Sequence, residues 1–185
     1  MNASSVLMSV MGVAAVVAMG VFAAPGSTRR PPPSVGSTAI ACHADEVGKR
    51  LLIEGVVTDA AGRPVEGATV TAYNADASGL YNPANSETRV PRIHAKVTTD
   101  AQGRFQVLTV FPGPYPSGDE PAHVHFDAVA PTYKLSYATI WFAGDRLITP
   151  QKRAWADQDA ETRIVPTRDL AGLAVAAVTI VLEEN

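Results

Sequence analysis

The sequence predicts an all-β fold, an antiparallel β-sandwich, on three observations. Short runs of β-branched and apolar residues recur from about residue 50 onward. Gly, Pro and Asp clusters punctuate them, and no helical apolar period persists between them. The turn signature Asp-x-x-Gly occurs twice between such runs, at Asp59 to Gly62 and at Asp100 to Gly103. Many short strands joined by such turns bury their apolar faces by stacking two sheets.

In chain order, residues 6–24 form an uncharged apolar run that ends in small residues. This predicts a signal peptide or membrane anchor over residues 1–24, and hence an exported protein that is periplasmic, secreted or N-terminally anchored. The run is close to membrane-spanning length, so both a cleaved and a retained leader fit. Arg29 and Arg30 follow the run and no Lys or Arg precedes it, the reverse of the usual charge arrangement. Residues 25–48 contain Pro31-Pro32-Pro33 with Gly, Ser and Thr, a composition expected to act as an extended linker. A short helical turn is expected over 39–47.

The sandwich is expected over residues 49–185. Residues 51–58 and 67–73 are β-rich and flank the first Asp-x-x-Gly turn, which predicts a hairpin. The second turn predicts another strand pair from 95–99 and 104–110. Residues 122–129, 135–142 and 172–183 supply three further strands. The charged stretch 149–169, with Trp155, reads as a loop excursion over one end of the sandwich.

Composition excludes some classes of function. A net charge of -3 gives no basic footprint for nucleic acid, and any membrane contact is expected only through the leader. The single cysteine, Cys42, excludes an internal disulfide.

The chemistry concentrates in Pro114-Tyr115-Pro116 and, a few residues later, Pro121-Ala122-His123-Val124-His125-Phe126. Side chains alternate along a strand, so His123 and His125 share one face while Val124 and Phe126 take the other. Neutral imidazole ligates iron, zinc and copper, and a nearby phenol ligates as phenolate when the metal is a strong Lewis acid. A tyrosine before a His-x-His strand is therefore a candidate metal site. Two ordinary half-buried histidines would give the same pattern.

The segment from Gly113 to Phe126, with Gly103-Arg104-Phe105 and Thr109 before it and Phe142-Ala143-Gly144-Asp145 after it, resembles the intradiol ring-cleavage dioxygenases. In that family non-haem ferric iron is held by two tyrosines and two histidines. Ala75-Asp76-Ala77-Ser78-Gly79-Leu80-Tyr81 stands where the family carries a glycine-rich turn ending in its first tyrosine ligand.

The resemblance spans about Glu54 to Asp145 and implies the ligand set Tyr81, Tyr115, His123 and His125. It also implies a β-sandwich core, a catechol-type substrate, dioxygen as co-substrate and no nicotinamide or flavin. Tyr115 would be the displaceable ligand and possible base, Tyr81 the retained phenolate, and the histidines the anchors. Two phenolates suit a trivalent ion, whereas zinc more often takes His with Cys or carboxylate.

The chain departs from the family at three points. Glu120 stands where well-studied members carry an arginine, and Thr139 where they carry a pocket glutamine; Arg92, Arg104 and Arg146 are the candidates for supplying the missing positive charge. The family's helical amino-terminal dimerisation region has no counterpart here, and oligomeric state is left open.

A second resemblance leads to a different function. Residues 54–70 are also similar to prealbumin-like and carboxypeptidase-regulatory β-sandwiches. These imply a non-catalytic binding or structural module of the cell envelope, but the similarity ends before the histidines; a third reading is a metal-binding module that keeps iron or another metal without ring cleavage.

Overall fold

In the computed structural model, residues 37–185 are described; the leader expected over 1–24 and the Pro-rich run lie outside the described residues. Ten strands and one helix follow in order: β1 (Thr38–Ile40), β2 (Arg50–Asp59), β3 (Thr69–Asn74), β4 (His94–Thr98), β5 (Arg104–Val110), β6 (His123–Val129), β7 (Ser136–Phe142), α1 (Pro150–Ala156), β8 (Thr162–Val165), β9 (Thr167–Leu170) and β10 (Leu173–Leu182). They form two five-stranded sheets, ordered β1-β5-β2-β10-β9 and β4-β3-β6-β7-β8. Among the described residues, no helix is long and apolar enough to cross a membrane.

Strand alternation builds the core between the sheets. Leu51, Ile53 and Val57 of β2, Phe105 and Val107 of β5, and Ile180 and Leu182 of β10 point inward from the first sheet. Val70, Val97, Val124, Phe126 and Ile140 meet them from the second. Gly55 lies opposite Phe105 in register, and a Cβ there would overlap the Phe105 ring. The ring thus fills the space that the glycine leaves and meets Phe126 edge-on at 6.3 Å.

The seven strands expected from the periodicity form close to their expected positions, as β2 to β7 and β10, but their pairing differs. The expected hairpin of 51–58 with 67–73 does not form, because β2 belongs to the first sheet and β3 to the second. The pair expected from 95–99 and 104–110 is likewise split between β4 and β5. Both Asp-x-x-Gly turns are therefore corners between sheets. Asp59 Oδ1 accepts from the Ala61 and Arg63 amides, and Asp100 Oδ1 from the Gln102 and Arg104 amides. The corners dock on one another through the Val57 amide, which donates to the Gly103 carbonyl at 2.8 Å. A Cβ at Gly103 would overlap the Val57 carbonyl oxygen, so the corner requires glycine both for its φ of 68° and for this approach.

Three further expectations are corrected. Residues 38–40, placed in the linker, form β1, which pairs parallel with β5 as Ala39 enters the core. The helical turn over 39–47 is absent: the chain there is β1 and turns, and Cys42 is a buried free thiol. Residues 149–169 are not a bare loop but carry α1, β8 and part of β9. Thr149 caps α1 by accepting from the Lys152 amide, with Pro150 at its start. β8 extends the second sheet by pairing parallel with β7.

Most neighbouring strands are antiparallel, as expected. The longest pairing, β2 with β10, is parallel, because the chain re-enters the first sheet through β9 and inserts β10 beside β2.

Candidate metal centre

β6 positions the two histidines. Its inward residues Val124 and Phe126 are sealed between the sheets, so the pleat turns His123 and His125 to the outer face of the second sheet. His123 is nevertheless only 5% exposed, because the β3–β4 and β5–β6 connections fold over it. His123 Nδ1 lies 2.6 Å from the Pro121 carbonyl oxygen. A carbonyl can only accept, so Nδ1 carries the proton and Nε2 presents its lone pair outward. His125 Nδ1 is 2.9 Å from Thr139 Oγ1. The two rings stand 4.6 Å apart at 75°.

The tyrosines arrive on those two connections. Asn74, at the end of β3, is buried between the sheets: its Nδ2 donates to the Ala75 and Val110 carbonyls, and its Oδ1 accepts from Thr109 Oγ1. This anchors the root of the Tyr81 loop to the opposite sheet. The loop then closes on Asp76, whose Oδ1 accepts from the Ser78 amide, the Ser78 hydroxyl and the Leu80 amide. Gly79 has φ of 84°, and a Cβ there would overlap the Pro114 carbonyl oxygen. A Cβ at Gly113 would overlap the Ala77 carbonyl oxygen. The two tyrosine loops thus interlock backbone against backbone, which only glycine permits.

Three donor atoms converge as a result. Tyr81 Oη is 2.7 Å from Tyr115 Oη and 3.4 Å from His123 Nε2, and Tyr115 Oη is 2.9 Å from His123 Nε2. Because Nε2 accepts, the hydrogens run in one direction: Tyr115 donates to His123 and Tyr81 donates to Tyr115. Around a cation with bonds of about 2.0 Å, neighbouring ligand atoms lie about 2.8–3.3 Å apart. The three separations, 2.7, 2.9 and 3.4 Å, lie within or close to that range.

Electrostatics favours the neutral forms of the two phenols and of His125. Burial, then the hydrogen bond to Tyr115, pushes the Tyr81 phenol far above the ordinary value. Burial also raises Tyr115, the hydrogen bond from Tyr81 lowers it, and the Glu120 charge raises it again. Burial and the neighbouring His123 hold His125 down to about 4, so its imidazole is neutral at pH 7. Neutral imidazoles suit a cation directly, whereas the phenols need a strong Lewis acid to ionise. Among the described residues, no group of three or more His, Cys, Asp or Glu gathers into an alternative site. The donor set therefore fits a hard trivalent ion such as ferric iron.

Of the four side chains expected at the site, Tyr81, Tyr115 and His123 meet through their donor atoms, and the His125 ring lies beside that of His123. Several neighbours surround them. Tyr73 lies in register with His125 and stacks on its ring at 5.0 Å and 29°; alternation along β3 places it on the outer face, and that was the available signal. Trp141 is the cross-strand partner of His123, and Trp155 of α1 stacks on Trp141 at 5.5 Å. The 149–169 segment thus walls one side of the site. Thr139, at the family's glutamine position, bonds His125.

The three candidate arginines fare differently. Arg104 lies on the first sheet beside Val56, and the Arg92 guanidinium is engaged by Glu46 and Asp76. Arg146 follows Asp145, whose Oδ2 accepts from the Ala122 amide next to His123.

Comparison with known proteins points in one direction. A family model described as Dioxygenase matches residues 32–174. The protocatechuate 3,4-dioxygenase beta chain of Burkholderia cepacia is 30% identical over 117 residues, which is 57% of this chain and 50% of that protein. The chlorocatechol 1,2-dioxygenase of Pseudomonas sp. (strain P51) is 26% identical over 166 residues, 78% of this chain and 63% of that protein. The chain thus spans about half to two thirds of the length of these curated relatives.

Among solved structures, the 3-chlorocatechol 1,2-dioxygenase of Rhodococcus opacus 1CP superposes with a TM-score of 0.65 at 22% identity, covering 90% of this chain and 70% of that one. The dioxygenase domain of a dioxygenase–carbohydrate-binding protein fusion from Streptomyces sp. SirexAA-E gives 0.63 at 22% identity, covering 87% and 96%. At these identities the structures speak for the fold, and they share its β-sandwich.

Proposed function

The chain belongs to the intradiol ring-cleavage dioxygenases, and on that footing we propose that it opens a catechol-type ring between its two hydroxylated carbons. Non-haem ferric iron would be held by Tyr81, Tyr115, His123 and His125, with dioxygen as co-substrate. The observation that carries the reading is the convergence of Tyr81 Oη, Tyr115 Oη and His123 Nε2 within 2.7 to 3.4 Å.

When bound, ferric iron would supply the Lewis acidity that favours ionised phenols and the activation of an aromatic diol toward dioxygen. The chain supplies orientation and proton handling. The Pro121 carbonyl and Thr139 hold the two imidazoles with their Nδ1 atoms occupied. Tyr81 sits in the loop closed by Asp76 and is the more firmly fixed phenol. Tyr115 lies between the exposed Pro114 and Pro116 at the rim. Once ionised, its Oη would be the atom placed to take a proton from an incoming hydroxyl. Tyr73 and the Trp141–Trp155 stack flank the histidines with aromatic surface.

Glu120 sets the preference among substrates. Its carboxylate acts on Tyr115 from the rim and repels an anionic ring substituent. Catechol or hydroxyquinol is therefore favoured over the carboxylated protocatechuate. Export follows from the apolar stretch 6–24 and belongs to the same proposal.

Purified protein loaded with ferric iron tests the reading. A burgundy colour from tyrosinate-to-iron charge transfer is expected, shifting when catechol is added, with oxygen uptake on catechol or hydroxyquinol exceeding that on protocatechuate. A colourless protein that takes up no iron would remove the proposal. Iron uptake without oxygen consumption on any of the three would leave a metal-binding module.

A further inference from the structure

Arg92 lies outside the donor set and holds the Tyr81 loop at both ends. Its backbone amide donates to the Tyr81 carbonyl at 3.2 Å. Its side chain reaches back to the loop's first turn, where Nη2 donates to Asp76 Oδ2 at 2.8 Å. The other oxygen of that carboxylate receives the Ser78 amide, the Ser78 hydroxyl and the Leu80 amide. The Asp76 carbonyl meanwhile accepts from the Gly79 and Gly113 amides at 3.0 and 2.8 Å, the second of these from the Tyr115 loop.

The guanidinium is anchored in turn by Glu46. Arg92 Nη1 donates to Glu46 Oε2, and Nη2 donates to Glu46 Oε1 at 2.8 Å. The Glu46 side chain is 11% exposed and that of Asp76 17%, against 34% for Arg92, so these pairs are partly shielded on the carboxylate side, whereas Arg168 and Glu54 are 62% and 41% exposed. A planar guanidinium alone can make the two-pronged contact with Glu46 while holding Asp76.

Resting on the iron-site reading above, we infer that Arg92 is the positioning residue for the Tyr81 phenol, with Glu46 as its anchor and Asp76 as its lever on the loop. Apart from the Gly113 amide on the Asp76 carbonyl, the hydrogen bonds of the triad end on the 76–81 loop or on the 41–49 segment, and none ends on the four donor side chains. Its effect on the phenol is therefore indirect. A phenol that wanders from its place loses overlap with the ion, so the triad determines how much of the tyrosinate character Tyr81 contributes. The same contacts exclude Arg92 as the substitute for the family's substrate-side arginine.

Arg92→Gln, Arg92→Lys and Glu46→Gln test the inference, with Arg168→Gln as the control for loss of a surface ion pair. In metal-free protein, amide exchange at Ser78, Gly79 and Leu80 should accelerate in Arg92→Gln while β6 and β7 keep their wild-type rates. In ferric protein, affinity should fall about 10–100-fold. The visible charge-transfer band should weaken or shift per iron bound. Arg92→Lys, which keeps one carboxylate contact, should fall between, and Arg168→Gln should match wild type.

Wild-type exchange in the loop, or a wild-type band per bound iron in Arg92→Gln, would overturn the inference. Should Arg92→Gln fail to fold, Glu46→Gln carries the same two readouts. If wild-type protein takes up no iron, the functional reading fails, while the metal-free exchange still decides whether Arg92 orders the loop.

Discussion

At the scale of single residues, the site is a set of neutral groups held ready by their second contacts. The Asp76 carboxyl shows how charge is used around it. Burial works against its ionisation, but the Ser78 and Leu80 hydrogen bonds and Arg92 outweigh this and hold it down to about 2, from 3.8. The native state therefore binds fewer protons than the unfolded chain between those values. Its stabilising contribution is complete above about pH 4 and is lost as pH falls through about 2. Thermal unfolding of metal-free protein between pH 2 and pH 5 should show this loss, and the slope should flatten in Asp76→Asn. His123, His125 and Tyr115 were legible because their residue types are chemically distinctive at short spacing, and Tyr81 through the family resemblance. The grouping of Arg92 with Glu46 and Asp76 was not, because only the fold brings positions 46, 76 and 92 together, and the role read for Arg92 was that of a substrate-side charge.

At the scale of elements, loops aim the phenols while β6 aims the imidazoles. The interlock at Gly79 and Gly113 makes the two loops one unit. Gly79→Ala meets both a positive φ and the Pro114 carbonyl, so the tyrosine loops should separate while the sheets persist. Iron affinity is expected to fall about 10–100-fold, with far-UV circular dichroism unchanged. Gly62→Ala is the matched control: its φ is 79° but nothing lies within 4 Å of the added Cβ, so it adds backbone strain without a clash. If both variants bind iron equally, the interlock has no role. Strand positions were readable from apolar alternation, but the two hairpins read from Asp-x-x-Gly were not real. Turn chemistry specifies that the chain reverses; it does not specify whether the next strand pairs with the last or crosses to the facing sheet, since either choice buries the same apolar face.

At the scale of the whole molecule, the site depends on a core it does not touch. Phe105 and Phe126 meet between the sheets, and the reverse face of β6 carries the histidines. Phe105→Ala should destabilise the fold by about 3–5 kcal/mol, measured by urea unfolding, because the space over Gly55 would be left empty as well. A cost near zero would show that the two sheets are held by other contacts. The sequence by itself determined seven strand positions, the face on which His123 and His125 lie, and Tyr115 as a phenol near them, because period, turn residues and ligand chemistry are local properties; Tyr81 and the full ligand set were implied by the family resemblance. Only the tertiary structure decided that β2 and β3 lie in different sheets, that 149–169 forms a wall carrying Trp155, and that Arg92 grips the Tyr81 loop. Those are contacts between residues far apart in the chain, chosen by the packing of two sheets.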